Sequence, residues 1–254
     1  MTTGSTTAKH GSHPKLAIIV VAYFAEKTLR GLLEKIPKDI VARCSEIVVL
    51  DDASSDRTTE VGLECKKEWG WKNLTMIKNE KNLGYGGNQK KGYHHCMDKN
   101  YDVVVMLHGD AQYPPEKIPD LIKPLEANEA DMAFGSRMTG DPLGGGMPIW
   151  KFVGNKFLTG YANTTLGMHL SEYHSGFRAY RIDALKKIDL DGCSDNFIFD
   201  TDIVIEWRKK NLRIAECTIP THYGPESRQI RPLPVMRYGL QIMKRTTLFS
   251  FKHR

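Results

Sequence analysis

No stretch of this chain approaches the ~18 consecutive apolar residues that a membrane-crossing helix needs, which excludes an integral helical membrane protein. Cysteine is sparse and scattered: Cys44, Cys65, Cys96, Cys193 and Cys217 form no close pair. That spacing excludes a zinc finger, a redox pair and a disulfide framework, and it suits a reducing cytosol. Residues 1–14, rich in Thr, Ser, Gly and His, lack the apolar core of a signal peptide and read as a disordered tail. An acidic surplus is also missing. Thirty-six Lys and Arg against thirty Asp and Glu leave a net charge of +6. Such a balance suits phosphate-bearing ligands or an anionic membrane surface, and equally an ordinary solvated surface.

What is present is the composition of a soluble globular protein, 41% hydrophobic and 26% charged over 254 residues. That length supports one large domain with a sizeable core. Its organising stretch is 102–115, Asp-Val-Val-Val-Met-Leu-His-Gly-Asp-Ala-Gln-Tyr-Pro-Pro. The β-branched run 103–107 does not alternate, as expected of a strand buried on both faces of a parallel sheet. Pro114 and Pro115 end any ladder. His108, Asp110 and Gln112 are thus predicted at the carboxyl end of a central strand, the edge where open α/β sheets bind ligands.

The remaining chain alternates strand-like and helix-like segments. Residues 16–22, 46–50, 74–77, 131–136 and 214–220 read as strands. Helical spacing marks 28–35, 57–69, 89–99, 118–125, 149–166, 183–187 and a segment from about 202 to 210. Segment 82–88, Asn-Leu-Gly-Tyr-Gly-Gly-Asn, reads as a Gly-rich turn, and the Gly-rich 140–148 as a mobile loop. This order predicts an α/β Rossmann-like single domain with a mainly parallel central sheet flanked by helices.

Chemistry gathers at the predicted strand ends. Asp51 and Asp52 close one strand, so at least one carboxylate is expected to face the ligand edge. The Gly-rich turn offers unshielded backbone N–H groups before a helix N-terminus, a seat for phosphate. It lacks the lysine and hydroxyl of a P-loop. Asp110 supplies a hard oxygen ligand for a divalent cation carrying phosphates.

Taken together, these motifs resemble the family-2 inverting glycosyltransferases with the A-type fold. The nearest branch is that of the dolichyl- and polyprenyl-phosphate mannose and glucose synthases, and the likeness covers roughly residues 15–225. It implies a nucleotide-sugar half over about 15–135 and an acceptor half over about 136–225, followed by a basic amphipathic segment, 226–254. It further implies that Ala22, Tyr23, Glu26, Asp51 and Asp52 bind the nucleoside, and that Asn82, Gly84 and Asn88 lie near the diphosphate. The family's usual proline and asparagine are replaced at the first turn by Val21 and Phe24. His108-Gly109-Asp110 stands where the family has Asp-x-Asp, so Asp110 becomes the ligand for Mg²⁺ or Mn²⁺, with Gln112 beside it. His108 acts as a ligand, acts through water, or leaves the metal more loosely held; direct imidazole ligation favours Mn²⁺.

On the acceptor side the resemblance places Arg137, Lys151 and Asn155 at an acceptor phosphate, and Ser175 and Arg178 in a shared Ser-Gly-Phe-Arg signature. Arg228 is a further candidate cation, while Asp200 and Asp202 are candidate bases. A hydroxyl acceptor needs a base, whereas a phosphate monoester is already ionised. The basic surplus and the amphipathic helix 149–166 favour a polyprenyl phosphate over a hydroxyl. A catalytically silent binder and a nucleotidyltransferase remain as rivals, the latter disfavoured by Tyr23-Phe24-Ala25-Glu26 after the first strand. Expected partners are a UDP- or GDP-type sugar nucleotide and a polyprenyl phosphate. Nucleic acid is not expected, and a homodimer is left open. The expected location is the cytoplasm, with the cytoplasmic membrane face as the alternative.

Overall fold

The computed structural model describes residues 14–221 and 232–252. One seven-stranded sheet runs through it in the order β3-β2-β1-β4-β6-β5-β7. The first half contributes β1 (Leu16–Ala22), β2 (Glu46–Asp51), β3 (Leu74–Lys78) and β4 (Val103–His108). All four pair in parallel. The second half adds β5 (Met132–Ser136), β6 (Arg178–Arg181) and β7 (Ile214–Thr218). β6 runs antiparallel to both β4 and β5, and β5 pairs in parallel with β7. The sheet is therefore mainly parallel, as expected. β6 itself falls where the sequence reading had only a segment preceding a helix; at four residues it is too short to show a period.

Nine helices are described. α1 (Leu29–Glu34), α2 (Lys38–Arg43), α3 (Thr58–Trp69), α4 (Gly84–Asp98) and α5 (Ile118–Glu126) belong to the first half. α6 (Ile149–Leu166), α7 (Ile182–Leu185), α8 (Phe199–Lys209) and α9 (Pro232–Lys252) belong to the second. α4 begins five residues earlier than expected, so the Gly-rich turn is its first helical turn. The expected mobile loop 140–148 instead folds into turns, with Gly145 N–H donating to the Asp141 carbonyl (3.0 Å) and Met147 buried.

The unbroken apolar strands are explained by burial on both faces. Ile18 and Val20 of β1, with Val105 and Leu107 of β4, pack on α1 and α5 through Leu29, Leu32, Leu121 and Leu125. Ala17, Ile19, Val104 and Met106 face the other way, onto Tyr93 of α4 and Phe199, Ile203 and Trp207 of α8. Each such aliphatic side chain stabilises the fold by about 1.5–3 kcal/mol relative to exposure. α9 lies across α6 and α8, with Ile242 and Thr246 buried and Tyr161 Oη 2.5 Å from Thr247 Oγ1.

The site follows from the strand order. β2 and β3 lie on one side of β1, and β4 on the other. The crossover direction reverses between β1 and β4, and a crevice opens beyond their carboxyl ends. Register sets Val21 opposite His108 there, and Gly109 N–H donates to the Val21 carbonyl at 2.8 Å.

Candidate active site

A cleft of about 380 Å³ opens at this point, lined by Ala22 and Tyr23 at the end of β1, Asp52 after β2, and His108, Gly109 and Asp110 at the end of β4. Its opposite wall is Asn82, Gly84, Tyr85 and Asn88 of the α4 entry, with Asn196 and Phe197 from the segment before α8.

The turn after β1 is braced by the turn after β2. Phe24 takes a left-handed conformation (φ 52°), and its N–H donates to Ser54 Oγ at 3.0 Å. Glu26 accepts from the Arg57 N–H at 3.0 Å and so faces the α3 entry. The two aspartates after β2 divide their work. Asp51 is fully buried and accepts from the Ser54 N–H (2.9 Å) and the Thr59 hydroxyl, so it holds the turn instead of facing a ligand. Asp52 lines the cleft and accepts from the backbone of Leu83 (2.8 Å) and Gly84 (3.1 Å) and from Asn79 Nδ2 (2.8 Å).

The N-terminus of α4 is filled from within the chain. The Asp195 carbonyl accepts from Gly86 N–H at 2.7 Å and Gly87 N–H at 3.2 Å. A Cβ on Gly86 would sit 2.2 Å from the Ser194 carbonyl oxygen. The glycines thus admit a protein segment, and the expected phosphate seat is occupied by a peptide carbonyl.

Asp110 is exposed at the tip of the β4 turn, its Oδ1 accepting from the Gln112 N–H at 3.2 Å. Gln112 is exposed too, but it lies outside the cleft lining. His108 packs among Tyr85, Tyr113 and Gly176. Its ring packs edge-on against Tyr113 (5.3 Å between centroids), and its Nε2 is 3.4 Å from Tyr85 Oη. A Cβ on Gly176 would lie 2.5 Å from Nε2, so glycine there makes room for the imidazole. Burial lowers the His108 pKa, against the pull of Asp110 and Asp200.

Among the described residues, no three His, Cys, Asp or Glu side chains converge to hold a metal. A divalent ion held by one carboxylate and completed by substrate phosphates fits Asp110, whose hard oxygens reach solvent in the cleft. It does not fit His108 Nε2, which faces Tyr85 and Gly176.

Behind Tyr85 lies a buried polar chain. Tyr85 Oη donates to Asp200 Oδ2 at 2.7 Å, and Asp200 Oδ1 stands 3.7 Å from Arg178 Nη2. Arg178 is buried and donates to the carbonyls of Ser175 (2.7 Å), Tyr173 (2.9 Å) and Asp200 (3.1 Å). Burial opposes its charge, but Asp200 and its neighbours more than compensate and hold the guanidinium ionised. Of the expected catalytic residues, Asp200 and Arg178 do not line the cleft: Asp200 lies behind Tyr85, and the Arg178 donors are committed to backbone. Ser175 is fully buried, contributing its carbonyl to Arg178. Asp202 points elsewhere, accepting from Ser194 N–H (3.0 Å) and facing Arg245 of α9 (3.4 Å). Both expected bases are therefore set back from the reacting space, because α8 buries its first turn against the core.

Arg137, Lys151 and Asn155 do come together. Arg137 Nη2 and Asn155 Nδ2 both donate to Glu172 Oε2, at 2.8 and 3.4 Å. Burial lowers the Lys151 pKa, and the charge of Arg137 lowers it further. Glu172, which pins Arg137, carried no sequence signal. Arg228 lies outside the described residues, as do the tail 1–13 and the segment 222–231. Sequence reasoning also missed Tyr85, whose only signal is an aromatic between two glycines, and Phe197, which has none.

A Rossmann-like sheet with a cleft at its switch point and one exposed carboxylate on the β4 turn defines an α/β domain built to take a ligand at that edge. The model of the family described as "Glycosyl transferase family 2" matches residues 17–189, and the chain belongs to that family. It is 29% identical over 197 residues to the undecaprenyl-phosphate mannosyltransferase of Micrococcus luteus, covering 76% of this chain and 75% of that one. It is 26% identical over 216 residues to the UDP-N-acetylglucosamine–dolichyl-phosphate N-acetylglucosaminyltransferase of Methanococcus voltae, covering 81% and 85%. Its fold superposes on glucosyl-3-phosphoglycerate synthase of Mycobacterium tuberculosis, solved with Mn²⁺, UDP and glucosyl-3-phosphoglycerate. That match has a TM-score of 0.68 at 17% identity and covers 93% of this chain and 80% of that one. The protein is a glycosyltransferase of A-type fold.

Proposed function

We propose that this glycosyltransferase moves a hexose from a nucleoside diphosphate sugar, with inversion, onto a polyprenyl phosphate. One observation carries the acceptor: a cationic cluster adjoins an exposed apolar helix face. Arg137 is paired with Glu172 and lies near enough to Lys151 for their charges to interact, while Ile149, Trp150, Val153 and Phe157 of α6 stand 46–72% exposed. A phosphate on an isoprenoid chain asks for that pairing, charge neutralisation at the head and an apolar surface for the tail. Lys151 and Lys156 lie among the apolar residues, as on interfacial helices near anionic lipid. No described helix is long and apolar enough to cross a membrane. The two lipid-phosphate transferases to which this chain is similar support the same reading.

The chemistry follows from the groups in the cleft. An ionised acceptor phosphate attacks the anomeric carbon from the face opposite the leaving group. The bond to the nucleoside diphosphate breaks, and its electrons leave with the diphosphate. No proton has to be removed, which agrees with Asp200 lying behind Tyr85 and Asp202 lying against Arg245. Asp110 would hold a Mg²⁺ or Mn²⁺ together with diphosphate oxygens, and that ion would neutralise charge developing on the leaving group. Asp52 holds the cleft wall in place through Leu83 and Gly84.

The test is nucleotide release from UDP-, GDP- and dTDP-sugars with Mn²⁺ or Mg²⁺, with and without a short polyprenyl phosphate, for the native chain and Asp110→Ala. Release that needs the lipid phosphate and vanishes in the variant is expected. Release stimulated only by hydroxyl acceptors would overturn the acceptor, and donor binding without any turnover would overturn the transferase reaction for this chain.

A further inference from the structure

We propose that Phe197, backed by Tyr85, is the platform on which the donor's sugar ring rests, and that it separates sugar nucleotide from bare nucleotide in binding. The inference rests on the nucleoside diphosphate sugar reading above.

Phe197 is 59% exposed although it lines the cleft. Its ring lies 4.8 Å from that of Tyr85, tilted by 34°, so the two form a continuous aromatic wall. The backbone on either side is fastened. Asp195 is tied to α4 through its carbonyl, and its carboxylate pairs with Lys90 Nζ at 2.6 Å. Ser194 N–H donates to Asp202 Oδ2 (3.0 Å), Lys90 Nζ donates to the Cys193 carbonyl (2.9 Å), and Ile198 N–H donates to Asn196 Oδ1 (3.3 Å). Tyr85 is fastened through Asp200. A ring whose backbone is fixed at both ends loses little freedom when a ligand covers it.

The ligand that suits this wall has one apolar face and a polar rim. A pyranose is such a ligand: its axial C–H groups form a flat apolar face, and its hydroxyls point outward. The cleft offers both kinds of surface, since Phe197 shares its lining with the polar residues Asn196, His108 and Asp110. Covering an exposed aromatic with an apolar face is favourable, and the polar neighbours set orientation. The nucleoside presents its own flat base, and the cleft offers a separate ring, Tyr23 just after β1.

The experiment is calorimetric titration of the full chain with UDP-glucose and GDP-mannose, each beside its bare diphosphate, in Mn²⁺, for native protein, Phe197→Ala and Phe197→Trp. Phe197→Ala is expected to weaken the preferred sugar nucleotide roughly three- to tenfold, the scale of one aromatic stacking contact, and to leave the bare diphosphate unchanged. Phe197→Trp is expected to restore the native value. Equal weakening of both ligands, or no weakening of either, would overturn the platform. Native protein that binds neither sugar nucleotide would overturn the donor reading, and the platform with it. Native binding with an unresponsive Phe197→Ala would sink the platform alone.

Discussion

Tyr85 Oη donates to Asp200 Oδ2 at 2.7 Å, joining the first turn of α4 to the first turn of α8 behind the cleft. The same oxygen is 3.4 Å from His108 Nε2. That hydroxyl thus stands between the cleft and Asp200, the buried partner of Arg178.

Removing that hydroxyl has a definite cost. Tyr85→Phe leaves Asp200 Oδ2 buried without its donor, and a buried acceptor deprived of its partner destabilises by ~1–3 kcal/mol. Urea unfolding of the variant is expected to show a lower midpoint with an unchanged slope. An unchanged midpoint would mean that Asp200 is satisfied by water.

The two residues in place of the family's paired aspartates are expected to behave differently. Asp110 is exposed, so Asp110→Ala should leave the melting temperature within a degree or so while transfer falls by roughly a hundredfold or more. His108→Ala removes a ring packed against Tyr85 and Tyr113 and should lower the melting temperature. Titrating Mn²⁺ against activity separates them, because the concentration for half-activation should stay native-like in His108→Ala. A strongly raised value there would make His108 a ligand.

His174 gives stability a pH dependence. Burial, reinforced by Arg137 and Arg178 against the opposing charge of Glu172, lowers its pKa from the ordinary 6.5 to about 4. The unfolded chain takes up a proton near pH 6.5, while the folded chain resists until about pH 4. Between those values the unfolded state binds more protons, so stability falls as pH falls, by ~2–3 kcal/mol in total. His174→Gln should flatten the stability curve across that window. Denaturation measured at intervals from pH 7 to pH 4 checks this.

The exposed face of α6 should matter only when the acceptor lies in a bilayer. Phe157 is 62% exposed, so Phe157→Glu should leave folding intact. Transfer to polyprenyl phosphate in anionic vesicles is expected to drop about tenfold, from lost apolar burial and added charge. Transfer to a short water-soluble phosphate acceptor should be unchanged. Equal loss with both acceptors would place Phe157 in the reaction itself.

Much of this was legible in the chain. The runs 16–22 and 103–107 announced strands buried on both faces, and the structure sandwiches them between two apolar layers. Asp110 was legible as a polar residue just past such a strand. Where the reading fell short, the reason was distance. Asp51 and Asp52 are neighbours of one type, yet one is consumed by Ser54 and Thr59 while the other lines the cleft. Asn82 to Asn88 looked like a phosphate loop because glycine admits any close neighbour, and here the neighbour is Asp195 from far along the chain.

By itself the sequence determined every strand but the short antiparallel β6, most of the helices, the ligand edge and the carboxylate at its tip. Those depend on hydrophobic period, turn residues and strand ends, all readable within a few consecutive positions. Tertiary structure alone decided that Arg178 is a buried brace, that Asp200 and Asp202 are set back, and that His108 turns toward Tyr85. It also brought Phe197 to the cleft, joined Arg137 and Asn155 to Glu172, and set Lys151 near Arg137. Such outcomes depend on which side of an element is buried against a distant partner, where the cost of an unpaired buried charge selects the arrangement. That selection is made by packing, and no local pattern records it.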